Sequence, residues 1–270
     1  MSNFAGAAGY YSKLRPGIPP EVAHVLTDAV AGEPHRALLD LGTGTGQVIQ
    51  ALHESFIDII GVDPDPEMLE LAENNCQPFA SPDRMIRFFS VSAESFTAPA
   101  GWQASLVTIC RAFHWMDQPR VLASLEHIIH DGGAVAIFGD SGFWEASNEW
   151  KKAVRAVIQE FLGEQRRAGS GVFSHHDLSY SEILSESPFH KVEEVRVPVR
   201  RIWTADSILG YLYSTSFAAP PLFGARIDSF EARIREVLAQ HSSSDTYEED
   251  NEFLIRLGRP GADESPCLGG

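Results

Sequence analysis

A chain of 270 residues, 44% hydrophobic and 21% charged, is long and apolar enough to bury a full core in one main domain with insertions. Its formal net charge of −16 argues against nucleic acid as a partner, because that affinity comes from Lys and Arg neutralising phosphates. No run approaches the ~20 apolar residues a bilayer span needs and no signal peptide opens the chain, so a cytoplasmic protein without membrane contact is expected. The acidic surplus serves either solubility or the steering of a cationic substrate, and part of it sits at residues 245–264. Cys76, Cys110 and Cys267 have neither disulfide nor metal-ligand spacing, so reduced thiols and no metal are expected, with Cys110 buried and inert in an apolar run.

Residues 1–35 precede the first regular pattern, and residues 36–140 alternate short apolar runs with helical patterns, which predicts βαβ units and a parallel sheet. Strands are predicted at 37–41, 57–62, 86–91, 106–109 and 134–138, with helices at 47–54, 66–75 and 119–130 between them. Asp65 as cap and Pro66 at the first helical position mark one helix start, and the Asp131-Gly132-Gly133 run is read as a helix stop. The alternation then breaks. A helix is predicted at 146–167, a polar stretch to Pro188, a strand at 191–203 whose Pro198 suits an edge or bulge, helices at 205–214 and 221–240, and a last strand at 253–257. Residues 141–259 thus read as late strands with insertions in the same domain, and 260–270 as a disordered tail. The fold class is α/β, a doubly wound, mostly parallel seven-stranded sheet whose helical insertions cover its carboxyl edge.

The first strand ends in LDLGTGTG at 39–46. A glycine-rich turn at a strand's carboxyl end lets a ligand approach the backbone, so a nucleotide-like cofactor is implied. Gln47 stands where G-x-G-x-x-G needs its last glycine, which counts against NAD or FAD, and no G-K-[S/T] follows to make a P-loop. The second strand ends in IGVD at 60–63, and a carboxylate at Asp63 can accept hydrogen bonds from both hydroxyls of a ribose.

With these motifs, with VSAES at 91–95, CRAFHWMD at 110–117 and YYSKLRP at 10–16, the sequence resembles the class I S-adenosylmethionine (SAM)-dependent methyltransferases. Within them it is similar to the small-molecule type 11 branch that includes the trans-aconitate methyltransferase-like enzymes. The resemblance implies a Rossmann-like fold with SAM as cofactor, and residues 1–35 as a flap and helix over it. It places Gly42, Thr43, Gly44 and Gly46 around the methionine part of SAM, with Asp40 either contacting the SAM ammonium or orienting the loop amides. Asp63 is implied to hold the ribose, Pro64 and Met68 to flank the adenine, Met68 equally as helix packing, and Ser92, Ala93 and Glu94 to meet the adenine edge, Glu94 otherwise as a solvated loop residue. Arg111, Ala112 and Phe113 would line the cofactor, and Tyr11 and Arg15 belong to the flap, Arg15 pairing with the methionine carboxylate or lying free on a surface arm.

A cofactor that carries an activated methyl needs only alignment and exclusion of water, so no triad or metal is expected. Candidate bases are His114, His175, His176, Glu145 and Tyr213, with His114 read first as a structural histidine bonded to the backbone and second as a base. Trp144, Phe173, Trp203, Tyr211, Tyr213 and Phe217 make the insertions aromatic, half or more of them as ordinary core. Aromatics able to engage a cation, together with the acidic balance, suggest N-methylation of an amino sugar or another secondary-metabolite amine, as in antibiotic biosynthesis. O-methylation of a hydroxyl or carboxylate, and non-methyl chemistry such as cyclisation, are the alternatives.

Overall fold

The computed structural model describes residues 16–34, 36–140, 142–144, 148–164, 167–168, 171–172 and 179–261. Helix α1 (Pro20–Asp28) precedes β1 (Ala37–Leu41), α2 (Gln47–Leu52), β2 (Asp58–Val62), α3 (Pro66–Cys76), β3 (Met85–Phe89), β4 (Ala104–Cys110), α4 (Gln118–Leu125) and β5 (Ile129–Asp140). Then come α5 (Glu149–Leu162), a small ladder of β6 (Arg167–Ala168) and β7 (Gly171–Val172), α6 (Tyr180–Ser185), β8 (Lys191–Trp203), α7 (Ala205–Tyr213), α8 (Ile227–Ala239) and β9 (Tyr247–Arg259). No helix among the described residues is long and apolar enough to cross a membrane.

Seven strands form one sheet in the order β3-β2-β1-β4-β5-β9-β8, and only β9 runs against the rest. All five residues of β1 and the first six of β4 are buried, as apolar strands covered by helices on both faces must be. On one face Leu39, Leu41, Val107 and Ile137 pack with Val121 and Leu125 of α4 and Leu184 of α6. On the other, Leu38, Leu106 and Ala136 pack with Val22 and Leu26 of α1 and Val48 and Ile49 of α2. Helix α1 is thus seated on a sheet face. The strand order reverses between β1 and β4, where α/β sheets open a crevice at their carboxyl ends.

A third apolar cluster lies outside the sheet layers. Trp150, Val154, Val157 and Ile158 of α5, Ile208, Leu209 and Leu212 of α7, and Phe230, Ile234 and Leu238 of α8 form it together with Phe143, Trp203 and Tyr247. Its position follows from register. The pairing of β5 with β9 ends at Asp140↔Phe253, whereas β8 and β9 stay paired to Trp203↔Tyr247. The hairpin therefore overruns the carboxyl edge and carries the three helices there as a cap.

Most predicted elements are present, with five main differences, the first being that the last strand, expected at 253–257, runs from Tyr247 to Arg259. The DGG run does not stop a helix: α4 ends at Leu125 and Asp131–Gly133 lies inside β5, at a register shift between Ala104↔Ile129 and Leu106↔Ala134. A Cβ at Gly133 would lie 2.8 Å from the Ser105 carbonyl, so the glycine allows a close backbone approach at a bulge. Helix α5 is shorter than expected, and α8 starts only at Ile227, after two short 3-10 turns and Gly224 at φ +54. Helix α6 stands in the stretch read as merely polar, held by a capping box between Ser179 and Glu182. Pro198 lies, as expected, on an edge strand.

Candidate functional site

The loop after β1 is built from left-handed glycines, with φ of +70, +53 and +79 at Gly42, Gly44 and Gly46. The amides of Gly42 and Thr43 both donate to the Val62 carbonyl, at 2.8 and 3.0 Å, tying the loop to the end of β2. A Cβ at Gly42 would sit 2.4 Å from that of Ala112, and one at Gly46 would sit 2.7 Å from the Cys76 sulfur. Glycine is thus required by close backbone approach as well as by dihedral angle. The Asp40 Oδ1 accepts from the Thr108 hydroxyl at 2.8 Å. Asp40 Oδ2 and the hydroxyls of Thr43 and Thr45 are buried without a hydrogen-bond partner among the described residues. Burial pushes the Asp40 carboxyl up to about 7, against the pull of the Thr43 and Thr108 hydroxyls beside it.

Asp63, just past β2, spans the crevice. Its Oδ2 accepts from the Gly44 amide and its Oδ1 from the Asp65 amide, both at 2.9 Å. Burial raises its pKa while those two amides oppose the rise. Pro64 follows on the exposed side, and Met68 is buried on the inner side of α3. After β3, Ser92 to Ser95 make a turn in which the Ser92 hydroxyl meets that of Ser95 at 3.2 Å and Ala93 is buried. Glu94 accepts from the Asp117 amide at 2.8 Å, so this turn is pinned to the segment leading out of β4.

In that segment Arg111 has φ +54 and Ala112 packs on Gly42. The Phe113 ring is committed to the core, edge-on to Tyr180 with centroids 5.1 Å apart, which leaves its backbone as the part of the residue able to line the cofactor. His114, half-buried, leans on the exposed Trp115 with centroids 4.8 Å apart. Asp40, Gly42 to Gly46, Asp63, Ser92 to Glu94 and Arg111 to His114 are therefore gathered at successive strand ends. The orphaned polar atoms of Asp40, Thr43 and Thr45 beside a glycine loop fit a small ligand that brings its own hydrogen-bonding groups, as the amino-acid and sugar parts of SAM do.

Tyr213 is not part of this gathering. It is buried in the cap, where its hydroxyl donates to Glu231 at 2.8 Å, so a packing role replaces the expected base. Trp203 and Phe217 are likewise in the cap core, with Trp144 and Tyr211 packed against it. Cys110 is half-buried rather than buried. Tyr11, Arg15, Glu145, Phe173, His175, His176 and Cys267 lie outside the described residues.

Sequence reading missed a charged cluster between the strand ends and the cap. Asp140, the last residue of β5, accepts from Arg111 Nε and from Arg201 Nη1 of β8, each at 2.7 Å. Burial alone would raise its pKa, but the two guanidiniums outweigh it and hold the carboxyl well below the usual range. Glu249 of β9 pairs with Lys151 of α5 and accepts from Trp203 Nε1 and, at 2.7 Å, from Asn251. Burial pulls the Lys151 pKa down while Glu249 opposes it. The signal was legible. Lys151 shares a helix face with Val154 and Ile158, and Glu249 falls in the inward phase of Tyr247, Phe253, Ile255 and Leu257. A charge on an inward stripe marks a buried pair.

Residues 38–133 match the family model described as a methyltransferase domain. An uncharacterized methyltransferase of Mycobacterium tuberculosis is 26% identical over 239 residues, covering 88% of this chain and 86% of that protein. Among solved structures, a provisionally assigned type II methyltransferase of Anaeromyxobacter dehalogenans superposes with a TM-score of 0.62 at 19% identity, over 91% of this chain and 97% of that one. A SAM-dependent methyltransferase of Thiobacillus denitrificans, in complex with S-adenosyl-L-homocysteine, does so with 0.51 at 15% identity, over 95% and 98%. A seven-stranded sheet with one antiparallel strand next to its edge, and a methyltransferase domain matched over the strands that carry the glycine loop and Asp63, give residues 38–133 as a methyltransferase domain within a class I SAM-dependent methyltransferase fold, and support SAM as the cofactor.

Proposed function

We propose that the chain moves a methyl group from SAM to a small-molecule acceptor seated between the carboxyl edge of the sheet and the helical cap. The observation that carries this is the overrun of β8 and β9, which holds α5, α7 and α8 over the strand ends. When bound, SAM supplies an activated methyl on a sulfonium, so the chain has to bind, align and exclude water rather than make a covalent bond. The glycine loop, Asp40 and Asp63 do the binding, and the apolar cap excludes water. A roof of three packed helices admits a small molecule more readily than a nucleic acid or protein, and the net charge of −16 works against nucleic acid as well.

Among small acceptors, the amine reading is supported by the acidic balance of the chain. His114, in the turn after β4, is the described candidate to take a proton from the acceptor. The test is calorimetry with SAM followed by S-adenosylhomocysteine release over a panel of amino sugars, amines, phenols, carboxylic acids, transfer RNA and peptides. Turnover is expected with a small molecule. Turnover confined to the macromolecules, or tight SAM binding with no turnover on any nucleophile, would overturn the proposal. Asp63→Ala is expected to weaken SAM binding by about 1–3 kcal/mol through loss of hydrogen bonds to a charged group, and unchanged affinity would remove the ribose assignment.

A further inference from the structure

The cluster beneath the cap does more than join two layers. A cavity of about 10 Å³, room for one water-sized group, lies there between Asp140, Arg201, Glu249, Trp150, Trp203 and Tyr211. Arg201 shares every carboxylate it reaches. Its Nη1 donates to Asp140, whose other oxygen is held by Arg111, and it stands 3.8 Å from Glu249, which Lys151, Trp203 and Asn251 already engage. Its Nη2 is buried and makes no hydrogen bond among the described residues, although the side chain is only 12% exposed. A buried guanidinium nitrogen left without an acceptor costs stability unless something brings one.

We propose that the methyl acceptor carries a carboxylate, and that Arg201 binds it beneath the cap, in the cavity that Trp150 and Trp203 help to line. This rests on the methyl-transfer reading and narrows its substrate class. A carboxylate supplies the missing acceptor for Nη2 through a charge-assisted hydrogen bond, and a guanidinium favours it over any neutral group. Trp150, Trp203, Tyr211 and Phe143 give the remainder of the molecule an apolar wall. An ammonium would meet the opposite situation: Asp140 and Glu249 line the same cavity, but their oxygens are taken by Arg111, Arg201, Lys151, Trp203 and Asn251. The cavity as it stands holds only a water-sized group, so entry of the acceptor parts the cap from the strand ends.

The test titrates protein loaded with S-adenosylhomocysteine with matched probes that differ only in their head group. Indole-3-acetate is compared with indole-3-acetamide and tryptamine, and hexanoate with hexanamide and hexylamine. The acids are expected to bind about tenfold or more tightly than their amides and amines. Arg201→Gln is expected to erase that preference and Arg201→Lys to keep part of it. An amine that binds as well as its acid, binding by none of the six probes, or an acid preference that survives in Arg201→Gln overturns the proposal. The probe series on the unaltered protein stands even if a variant fails to fold. Loss of the methyl-transfer reading itself would be seen separately, as failure to bind SAM in the absence of any probe.

Discussion

Asp40 is a carboxyl group placed where water is excluded, and its chemistry follows from that. Burial pushes it up to about 7, whereas an unfolded chain would hold it near the ordinary value of about 4. Between those values the folded protein keeps a proton that the unfolded chain has lost, so folding takes up a proton and stability falls as pH rises. The ligand-free protein is expected to lose about 3 kcal/mol from this residue between pH 5 and pH 8 relative to Asp40→Asn, which cannot ionise. Urea unfolding of both proteins at the two pH values measures it, and parallel pH profiles would show that Asp40 is ionised in the fold. At the same scale the glycine loop was legible in the sequence because positive φ and close approach are local steric demands. The commitment of the Phe113 ring to the core was not legible, since it depends on Tyr180 of another element.

At the scale of elements, local signals were trustworthy where a cap or a burial pattern stood alone and misleading where two readings shared the same residues. Asp65 and Pro66 start α3, with the Asp65 carboxylate accepting from the Glu67 amide at 3.0 Å. Asp131-Gly132-Gly133 carries the residues of a helix stop, yet Gly133 is there because the Ser105 carbonyl comes within reach of any Cβ. Helix α6 was hidden in a polar stretch, although Ser179 and Glu182 have the spacing of a capping box. Its Leu184 is fully buried against the sheet, so the helix is part of the core despite its six residues. Ser179→Ala is expected to cost about 1 kcal/mol in chemical denaturation, the usual worth of such a cap. No change would mean that packing at Leu184 alone holds α6.

For the molecule as a whole, the join between cap and sheet is ionic. Lys151 on α5 and Glu249 on β9 have side chains 4% and 2% exposed, so each depends on the other to remain charged there. Lys151→Met leaves Glu249 with the neutral donors Trp203 and Asn251 and with Arg201 no nearer than 3.8 Å, and is expected to destabilise the protein by about 3 kcal/mol, whereas Lys151→Met/Glu249→Met recovers most of the loss, because a buried pair replaced by apolar groups costs little. Equal losses in the single and double variants would show that the pair does not latch the cap.

The sequence by itself determined the alternating strands and helices, the glycine loop and Asp63, because dihedral preference, hydrophobic period and strand-end spacing act over a few residues. It determined the cofactor class through those same strand ends. The cap site depended on the tertiary structure. Asp140, Lys151, Arg201 and Glu249 come from four separate segments, and they meet because β9 runs antiparallel between β5 and β8 and carries its register past the sheet's edge. Register over that distance is set by the sum of many side-chain contacts, not by any local pattern.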